Sequence, residues 1–143
     1  MAPRSLLLAS LLFAGAAAAQ QTECKFNPYG KSCGPALHGT AQQAGGVHTL
    51  TVTMSNGMPN EMGIFVFGTR KIEVPIPVYG CSLLTDPIIV TSFATDARGA
   101  GSITLTVPPR YAATFFVQAA SFSLRTVTVQ ASNGLEVECR LRS

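Results

Sequence analysis

Short runs of apolar and polar residues follow one another through the second half of the chain, between Gly80 and Arg140. Each run is rich in Val, Ile, Thr and Phe, and each ends at Pro, Gly, Asn or Asp. This spacing of strand-forming and turn-forming residues predicts consecutive antiparallel strands with tight connections. The expected strands are Cys81–Leu84, Ile88–Ala94, Gly101–Val107, Thr114–Ser121, Leu124–Ala131 and Leu135–Leu141.

Turn-forming residues predict how these strands connect. We expect a hairpin turn at Asp96–Gly101, where Asp and Gly cluster. A second hairpin is expected at Asn133-Gly134, because both residues of that pair tolerate positive φ. The prolines at Pro108-Pro109 should end a strand, and one helical turn is expected at Arg110–Ala113.

Strict alternation is clearest in two of the expected strands. In Val47–Met54 one face carries His48, Leu50, Val52 and Met54. In Gly101–Val107 the inward side chains are expected to be Ile103, Leu105 and Val107. The opposite face of both strands is mostly threonine, which suits a pleated surface in contact with water. The pattern therefore predicts a sheet with one face on the core and one face in solvent.

Two segments in the middle of the chain differ from this pattern. Gly63–Gly68 is apolar throughout, which predicts a central strand covered on both faces, and a turn is expected before it at Asn56–Asn60. Lys71–Val78 alternates, but Pro75 and Pro77 have no N–H groups for a strand ladder. This segment is therefore expected at a sheet edge or in an extended crossover between sheets.

The rhythm of about eight strands with turn signals every 8–12 residues predicts an all-β domain. One sheet of this size would expose an apolar face, so we expect a two-sheet antiparallel β-sandwich, Ig-like or jelly-roll-like. Residues 20–46 show little periodicity and are expected to be an N-terminal arm that turns at Asn27–Pro35 and loops at Ala41–Gly46. The arm, tethered by disulfides, and the sandwich at residues 47–143 should form one domain.

The N terminus has the pattern of a secretory signal peptide over residues 1–19. Arg4 is positive, Ser5–Gly15 is apolar and Ala16–Ala19 is a run of small residues, so cleavage is expected between Ala19 and Gln20. A membrane anchor is disfavoured, because the apolar run falls short of the roughly 20 residues of a spanning helix. We expect a secreted protein, extracellular or at the cell surface, with the periplasm as the alternative.

Charge gives little indication of a partner. Charged residues are 12% of the chain, and the formal net charge is +3 with scattered lysines and arginines. Nucleic-acid binding needs a clustered basic surface, so it is not expected. The expected partner is an unidentified protein or glycan, and no transmembrane segment is expected after the signal.

The chain has four cysteines, Cys24, Cys33, Cys81 and Cys139. An even number of cysteines in an exported chain implies two disulfides, because the compartment is oxidising. A structural zinc site would need closely spaced pairs, which the sequence lacks. The spacing of the cysteines leaves all three connectivities open.

Residues that could perform catalysis have structural explanations in the sequence. The only histidines are His38, in the arm, and His48, on a strand face, and neither adjoins a nucleophile motif. Paired carboxylates could hydrolyse glycosides, and the candidates are Glu61, Glu73, Asp86, Asp96, Glu136 and Glu138. However, Asp86 precedes a proline and Asp96 opens a turn. We expect no catalytic residue, metal site or cofactor.

Binding residues are also few. The chain has no Trp, which weakens a sugar-stacking role, and packing at the ends of the sandwich is expected for Tyr29, Tyr79 and Tyr111. Met58 and Met62 lie near a loop and are expected to fold back over the core. Phe115 and Phe116 should point to opposite faces of one strand, one into the core and the other packed or in an interaction patch.

Seven motifs in a fixed order resemble those of an uncharacterised secreted β-sandwich module of planctomycete-type bacterial exoproteins. The motifs are NPYGKSCG, HTLTVT, IFVFGTRK, GCSLLTDP, TDARGAGSITLTVPP, FFVQAA and SNGLEV. They extend from Asn27 to Val137, which is nearly the whole chain after the signal, and none is catalytic.

The resemblance implies a disulfide pairing and a role. Cys33 and Cys81 match the positions of the family's cysteines, which favours Cys33–Cys81 and leaves Cys24–Cys139. The alternative is Cys24–Cys33 with Cys81–Cys139. We expect a non-catalytic exported protein with a structural or interaction role. A polysaccharide-binding module is the alternative, and a small hydrolase ranks last.

Overall fold

The computed structural model describes residues 21–142, in which ten strands and no helix occur. The strands are β1 Gln21–Tyr29, β2 Ala36–Ala44, β3 Val47–Ser55, β4 Met62–Gly68, β5 Lys71–Ile76, β6 Cys81–Thr85, β7 Ile89–Ala94, β8 Gly101–Val107, β9 Ala113–Ser123 and β10 Thr128–Arg142. The expected signal peptide, with its cleavage site between Ala19 and Gln20, lies outside the described residues.

Two antiparallel sheets form the sandwich. The larger has the order β1-β10-β9-β4-β7 and the smaller the order β2-β3-β8. Buried apolar side chains from both sheets meet in one core, among them Leu50, Val52 and Met54 from β3 and Phe65, Val117, Leu135 and Val137 from the larger sheet. Burying each of these side chains contributes about 1.5–3 kcal/mol. The prediction of an all-β antiparallel sandwich is confirmed.

The alternating segments behave as predicted. β3 lies between β2 and β8, with its apolar face fully buried and its threonines half-exposed. β8 alternates in the same way, with exposed residues at Ser102, Thr104 and Thr106. β4 is paired on both sides, by β9 and β7. β5, the proline-containing segment, pairs only with β6 in a separate two-stranded sheet and is therefore an edge, as expected.

The expectation of a weakly structured arm over residues 20–46 is wrong for the part that is described. β1 pairs with β10 along its whole length, from Gln21 opposite Arg142 to Tyr29 opposite Gly134. β2 pairs with β3 through a tight turn at Gly45 and Gly46, both at positive φ. Strand β1 obtains its partner from the opposite end of the chain, and local periodicity does not report such a pairing.

The expected hairpin at Asn133-Gly134 is also wrong. These residues lie within β10, where the register shifts between Ala131 and Gly134. The hairpin falls instead at residues 124–127, inside the segment Leu124–Ala131 that was expected to be a strand.

Side-chain bonds explain why the pair forms a bulge. The amide of Asn133 accepts a hydrogen bond from Leu37 N at 2.8 Å and donates one to Leu37 O at 3.1 Å, so it is used to attach β2. A Cβ on Gly134 would lie 2.3 Å from Cζ of Tyr29, so only glycine fits beneath that ring. The extra residues of the bulge thus serve contacts between strands.

Two other connections differ from expectation. Asp96–Gly101 is a turn, but it crosses from β7 in the larger sheet to β8 in the smaller one and closes no hairpin. Its form is fixed by Asp96 Oδ1, which accepts hydrogen bonds from the N–H groups of Arg98 and Ala100. The helical turn expected at Arg110–Ala113 is replaced by a β-turn in which Tyr111 N donates to Pro108 O at 3.3 Å.

Strands β5 and β6, together called the flap, form a third layer on the outer face of the larger sheet. β6 contacts β4, β9 and β10. The amide of Gln118 on β9 joins the layers: its Oε1 accepts from Leu84 N, and its Nε2 donates to Ser82 O and Ser132 O, all at 2.9 Å. A two-stranded sheet is marginal by itself, so these bonds hold the flap in place.

Candidate functional site

An apolar groove of about 390 Å³ lies where the two sheets of the sandwich separate. The smaller sheet ends at β8 and the larger one at β7, and these two edge strands form its sides. Side chains from β4, β7, β8 and β9 line it, including Phe67, Ile89, Ile103, Leu105, Tyr111 and Phe115. Because three strands are narrower than five, the smaller sheet leaves the last strand of the larger one incompletely covered.

An exposed apolar run begins at the groove and continues along the start of β7, with Ile88 and Ile89 lining the groove. Ile88, Ile89 and Val90 are 64%, 61% and 54% exposed, although they are consecutive large apolar residues. Towards the other end of β7, Phe93 is half-buried and stacks on Phe65 with ring centroids 4.5 Å apart. The strand is therefore anchored at one end and presents apolar surface to solvent at the other.

Among residues 21–142, β7 has a strand partner on one side only, because it is the last strand of the larger sheet. β7 pairs with β4 in the register Ile89 opposite Phe67 to Ala94 opposite Met62. Beyond its end, Thr95 N donates to Glu61 O at 2.8 Å. Since the bonded residues of a strand alternate, the N–H and C=O groups of Val90 and Ser92, with those of Ala94, point away from β4.

The two phenylalanines of β9 are placed on opposite faces. Phe116 is buried beneath the flap and meets Tyr29 edge-to-face, with ring centroids 5.9 Å apart. Phe115 packs against the core and lines the groove. The prediction that one side chain is core and the other packed or in an interaction patch is confirmed.

Asp86, at the end of β6, has the most strongly bonded carboxylate of the chain's described part. Its oxygens accept hydrogen bonds from Thr69 N at 2.7 Å, Arg70 N at 2.8 Å and the hydroxyl groups of Thr69 and Thr85. Burial opposes ionisation, but the bonds from Arg70, Thr69 and Thr85 outweigh it and lower the pKa of Asp86 to about 2. This carboxylate is thus fixed as an anion that shapes the turn after β4.

A second polar cluster lies at the rim of the flap. The Nζ atom of Lys71 is 4.9 Å from the ring centroid of Tyr29 and 3.9 Å from a carboxylate oxygen of Glu136. The hydroxyl of Tyr29 donates to Leu84 O at 2.8 Å. Burial, with the nearby carboxylates of Glu136 and Asp86, raises the pKa of Tyr29 to about 12. The tyrosine remains neutral and joins β1 to the flap.

The structure does not bring the histidines together with a nucleophile. His38 is exposed on β2. His48 is buried on β3, opposite Val107, and neither of its ring nitrogens has a hydrogen-bond partner within residues 21–142. Within residues 21–142 there is no group of three or more His, Cys, Asp or Glu side chains that could hold a metal ion.

The remaining carboxylates are distributed over separate parts of the surface. Glu61 pairs with Arg125 at 3.4 Å, and Glu138 pairs with Arg140. Glu73 is exposed on β5, and Asp96 is used in its turn. Each of these four carboxylates therefore has its own surroundings in the described part of the chain: Glu61 and Glu138 are ion-paired, Asp96 holds its turn and Glu73 is exposed.

The tyrosines and methionines also have separate surroundings. Tyr79 donates to Val127 O at 2.8 Å, whereas Tyr111 lines the groove and Tyr29 packs under Lys71. Met58 is half-buried, and its carbonyl accepts a bond from Thr95 Oγ1. Met62 is exposed at the start of β4, so the expectation that it folds over the core is wrong. Side chains of a strand alternate between faces, and this position points to solvent.

Both cysteine pairs are disulfides: Cys24 with Cys139, and Cys33 with Cys81. These are the pairs that the resemblance favours. The first joins directly opposed residues of β1 and β10, with Cα atoms 4.0 Å apart, and the second attaches the flap to the β1–β2 connection, with Cα atoms 5.4 Å apart. Two disulfides indicate an oxidising, extracellular-type environment. Residues 21–142 contain no helix that is long and apolar enough to cross a bilayer.

The chain matches no protein-family profile, no curated protein and no solved structure.

Two features are not predictable from the sequence pattern, one on the surface and one in the interior. The run Ile88–Val90 was expected to be part of a strand, but nothing local indicated that this strand ends a sheet. The central role of Gln118 was also missed. A single Gln in an otherwise apolar strand, TFFVQAASF, is the signal that could have indicated a buried polar contact.

Proposed function

We propose that this chain is a non-catalytic, exported β-sandwich protein that acts in structural or protein–protein contacts at the cell surface or outside the cell. The single observation that carries this proposal is the exposed apolar edge at Ile88, Ile89 and Val90, of which Ile88 and Ile89 line the groove. Exposed apolar patches of this kind commonly mark interaction sites, because water contact there is unfavourable. The proposed location is outside the cell or at its surface, and the alternative is the periplasm.

Further support comes from how the polar side chains are used. Asp86, Gln118 and Tyr29 all have their polar atoms in hydrogen bonds that hold the flap and its turn. The disulfides support an exported protein, since such bonds persist in oxidising compartments. The signal-like N terminus and the resemblance to secreted planctomycete-type modules support the same role.

The test is capture of partners from the native envelope and culture medium by the disulfide-bonded protein. We expect specific proteins to be retained, and retention to fall when the apolar edge is made polar by Ile89→Lys. The matched control is Leu124→Lys, at a residue that is also apolar and exposed but lies in the β9–β10 hairpin. Equal retention by both variants would contradict an interaction role for this edge.

Two other outcomes would replace the proposal. Saturable binding on a glycan array, lost in Tyr79→Ala or Tyr111→Ala, would favour a polysaccharide-binding module. Turnover of an ester, peptide or glycoside that disappears when one histidine or carboxylate is changed would show a hydrolase. The same purified protein serves all three measurements.

A further inference from the structure

Strand β7 lacks the features by which exposed sheet edges usually avoid pairing. Its sequence, IVTSFA, has no charged residue, no proline and no glycine. The opposite edge of the same sheet, β1, carries Glu23, Lys25 and Pro28 at exposed positions. Charges and prolines at an edge prevent strand addition, whereas an uncharged, apolar edge favours it.

The free side of β7 matches the backbone of another strand. The N–H and C=O groups of Val90 and Ser92, with those of Ala94, point away from β4, as the bond between Thr95 and Glu61 requires. Only a chain in extended conformation offers donors and acceptors at the same alternating spacing. A globular apolar surface would cover the side chains but leave these groups without partners.

We propose that the strand which completes this edge is β7 of a second copy of the chain. The two copies pair antiparallel about a two-fold axis at Ser92, so that Val90 of each copy lies opposite Ala94 of the other. The two larger sheets then become one continuous sheet. This proposal rests on the interaction role proposed above, and it names the partner.

Self-pairing agrees with the charges around the strand. The strand itself is uncharged, so antiparallel pairing places no like charges opposite each other. Asp96, after β7, lies beside Arg98, and Arg70, near the other end, lies 3.8 Å from Asp86, so each end carries charges of both signs. Antiparallel pairing therefore brings no unbalanced charge against a like charge. A two-fold axis repeats this contact, which is the usual geometry of dimers.

The size of the edge sets the expected affinity. A six-residue strand is about 20 Å long, so a single strand pair buries less surface than the roughly 1,200 Å² of a stable interface. The dimer should therefore be weak, with a dissociation constant on the order of 100 µM. Such an association would be complete only where the protein is concentrated, for example on a surface.

Sedimentation equilibrium of the disulfide-bonded protein, from about 1 µM to about 500 µM, tests this inference. We expect the weight-average mass of the wild type to rise from that of the monomer towards that of the dimer across this range. Val90→Lys should weaken association at least about tenfold, because it places two charges at the paired edge. Leu124→Lys, at a 79% exposed residue in the β9–β10 hairpin, two strands away from β7, should associate as the wild type does.

Hydrogen exchange identifies the paired edge directly. The amides of Val90, Ser92 and Ala94 should exchange more slowly at high concentration, whereas those of Thr91 and Phe93, already bonded to β4, should not change. Ser92→Pro removes one edge-facing N–H and should abolish the dimer, with far-UV circular dichroism as the check of folding.

A wild-type protein that is monomeric throughout the range would overturn the inference. So would dimerisation of Val90→Lys equal to that of the wild type, or a monomer that binds Nile red until Phe115→Ser removes the binding. The last result would indicate a small apolar ligand in the groove. In each case capture from the envelope still decides the proposed function independently.

Discussion

At the scale of single residues, the polar side chains near the flap are occupied by the fold. Asp86 accepts four hydrogen bonds from Thr69, Arg70 and Thr85, and Gln118 makes three to the backbone around it. Buried polar groups are stable only when they are bonded in this way, and removing one partner leaves the other unsatisfied. The hydrogen bonds of Asp86 and Gln118 therefore contribute to the stability of the fold.

Asp86 should make stability depend on pH. Its folded pKa of about 2 is below the ordinary value of about 3.9. A lowered folded pKa stabilises the protein above the unfolded value, and this stabilisation is lost as pH falls through the folded pKa. We therefore expect the free energy of unfolding to decrease between about pH 4 and about pH 2. Urea unfolding at several pH values measures this decrease, which should be shallower in Asp86→Asn.

The control for this prediction is Glu73→Gln, at an exposed carboxylate on β5. It should keep the wild-type decrease. Asp96 contributes in the same direction, because the N–H groups of Ala100 and Arg98 lower its pKa, so the Asp86→Asn curve should not become flat. An unchanged slope in Asp86→Asn would show that its bonds do not persist in solution.

At the scale of elements, the sequence predicts those strands whose own residues alternate between apolar and polar side chains. The alternation of β3 and β8 follows from threonine on one face and aliphatic residues on the other, so their faces were predictable. β1 was missed because its partner, β10, is at the far end of the chain. The pair Asn133-Gly134 does not form the expected hairpin turn, because both residues serve contacts between strands. The side chain of Asn133 bonds to Leu37 of β2, and the absence of a Cβ on Gly134 leaves room for the ring of Tyr29.

The candidate site was only partly predictable for the same reason. The strand Ile88–Ala94 and its apolar character were expected, and so was the partition of Phe115 and Phe116. Whether a strand lies at an edge depends on the order of all strands in the sheet, which is a long-range property. The groove exists because β7 and β8 both end their sheets on one side, and no local pattern contains that information.

The flap should behave as a separately tethered element. Two strands are marginal alone, and the Cys33–Cys81 disulfide is the covalent attachment of this pair to the β1–β2 connection. In Cys33→Ser/Cys81→Ser we expect amide exchange to accelerate more in residues 71–85 than in β3, measured by mass spectrometry. The reciprocal control is Cys24→Ser/Cys139→Ser, in which exchange should accelerate more in β1 than in residues 71–85. Uniform acceleration in both variants would contradict an independent flap.

At the scale of the whole molecule, the fold is closed by contacts between the first and the last strand of residues 21–142. The first strand pairs with the last, and both lie on the same side of the larger sheet. Pairing of residues so distant in sequence requires a large loop to close, which is unfavourable in entropy. The Cys24–Cys139 disulfide spans a sequence separation of 115. It lowers the entropy of the unfolded chain, so that less entropy is lost when the two strands pair.

This bond should therefore be the larger of the two covalent contributions to stability. In the chain-entropy model, a separation of 115 corresponds to about 4.8 kcal/mol and one of 48 to about 4.1 kcal/mol. Since single domains are stable by about 5–15 kcal/mol, loss of Cys24–Cys139 alone should bring the protein close to unfolding. Denaturant unfolding of Cys24→Ala/Cys139→Ala, beside Cys33→Ala/Cys81→Ala and the wild type, measures both losses. If the first variant were the more stable of the two, attachment of the flap rather than closure of the ends would dominate the stability of the sandwich.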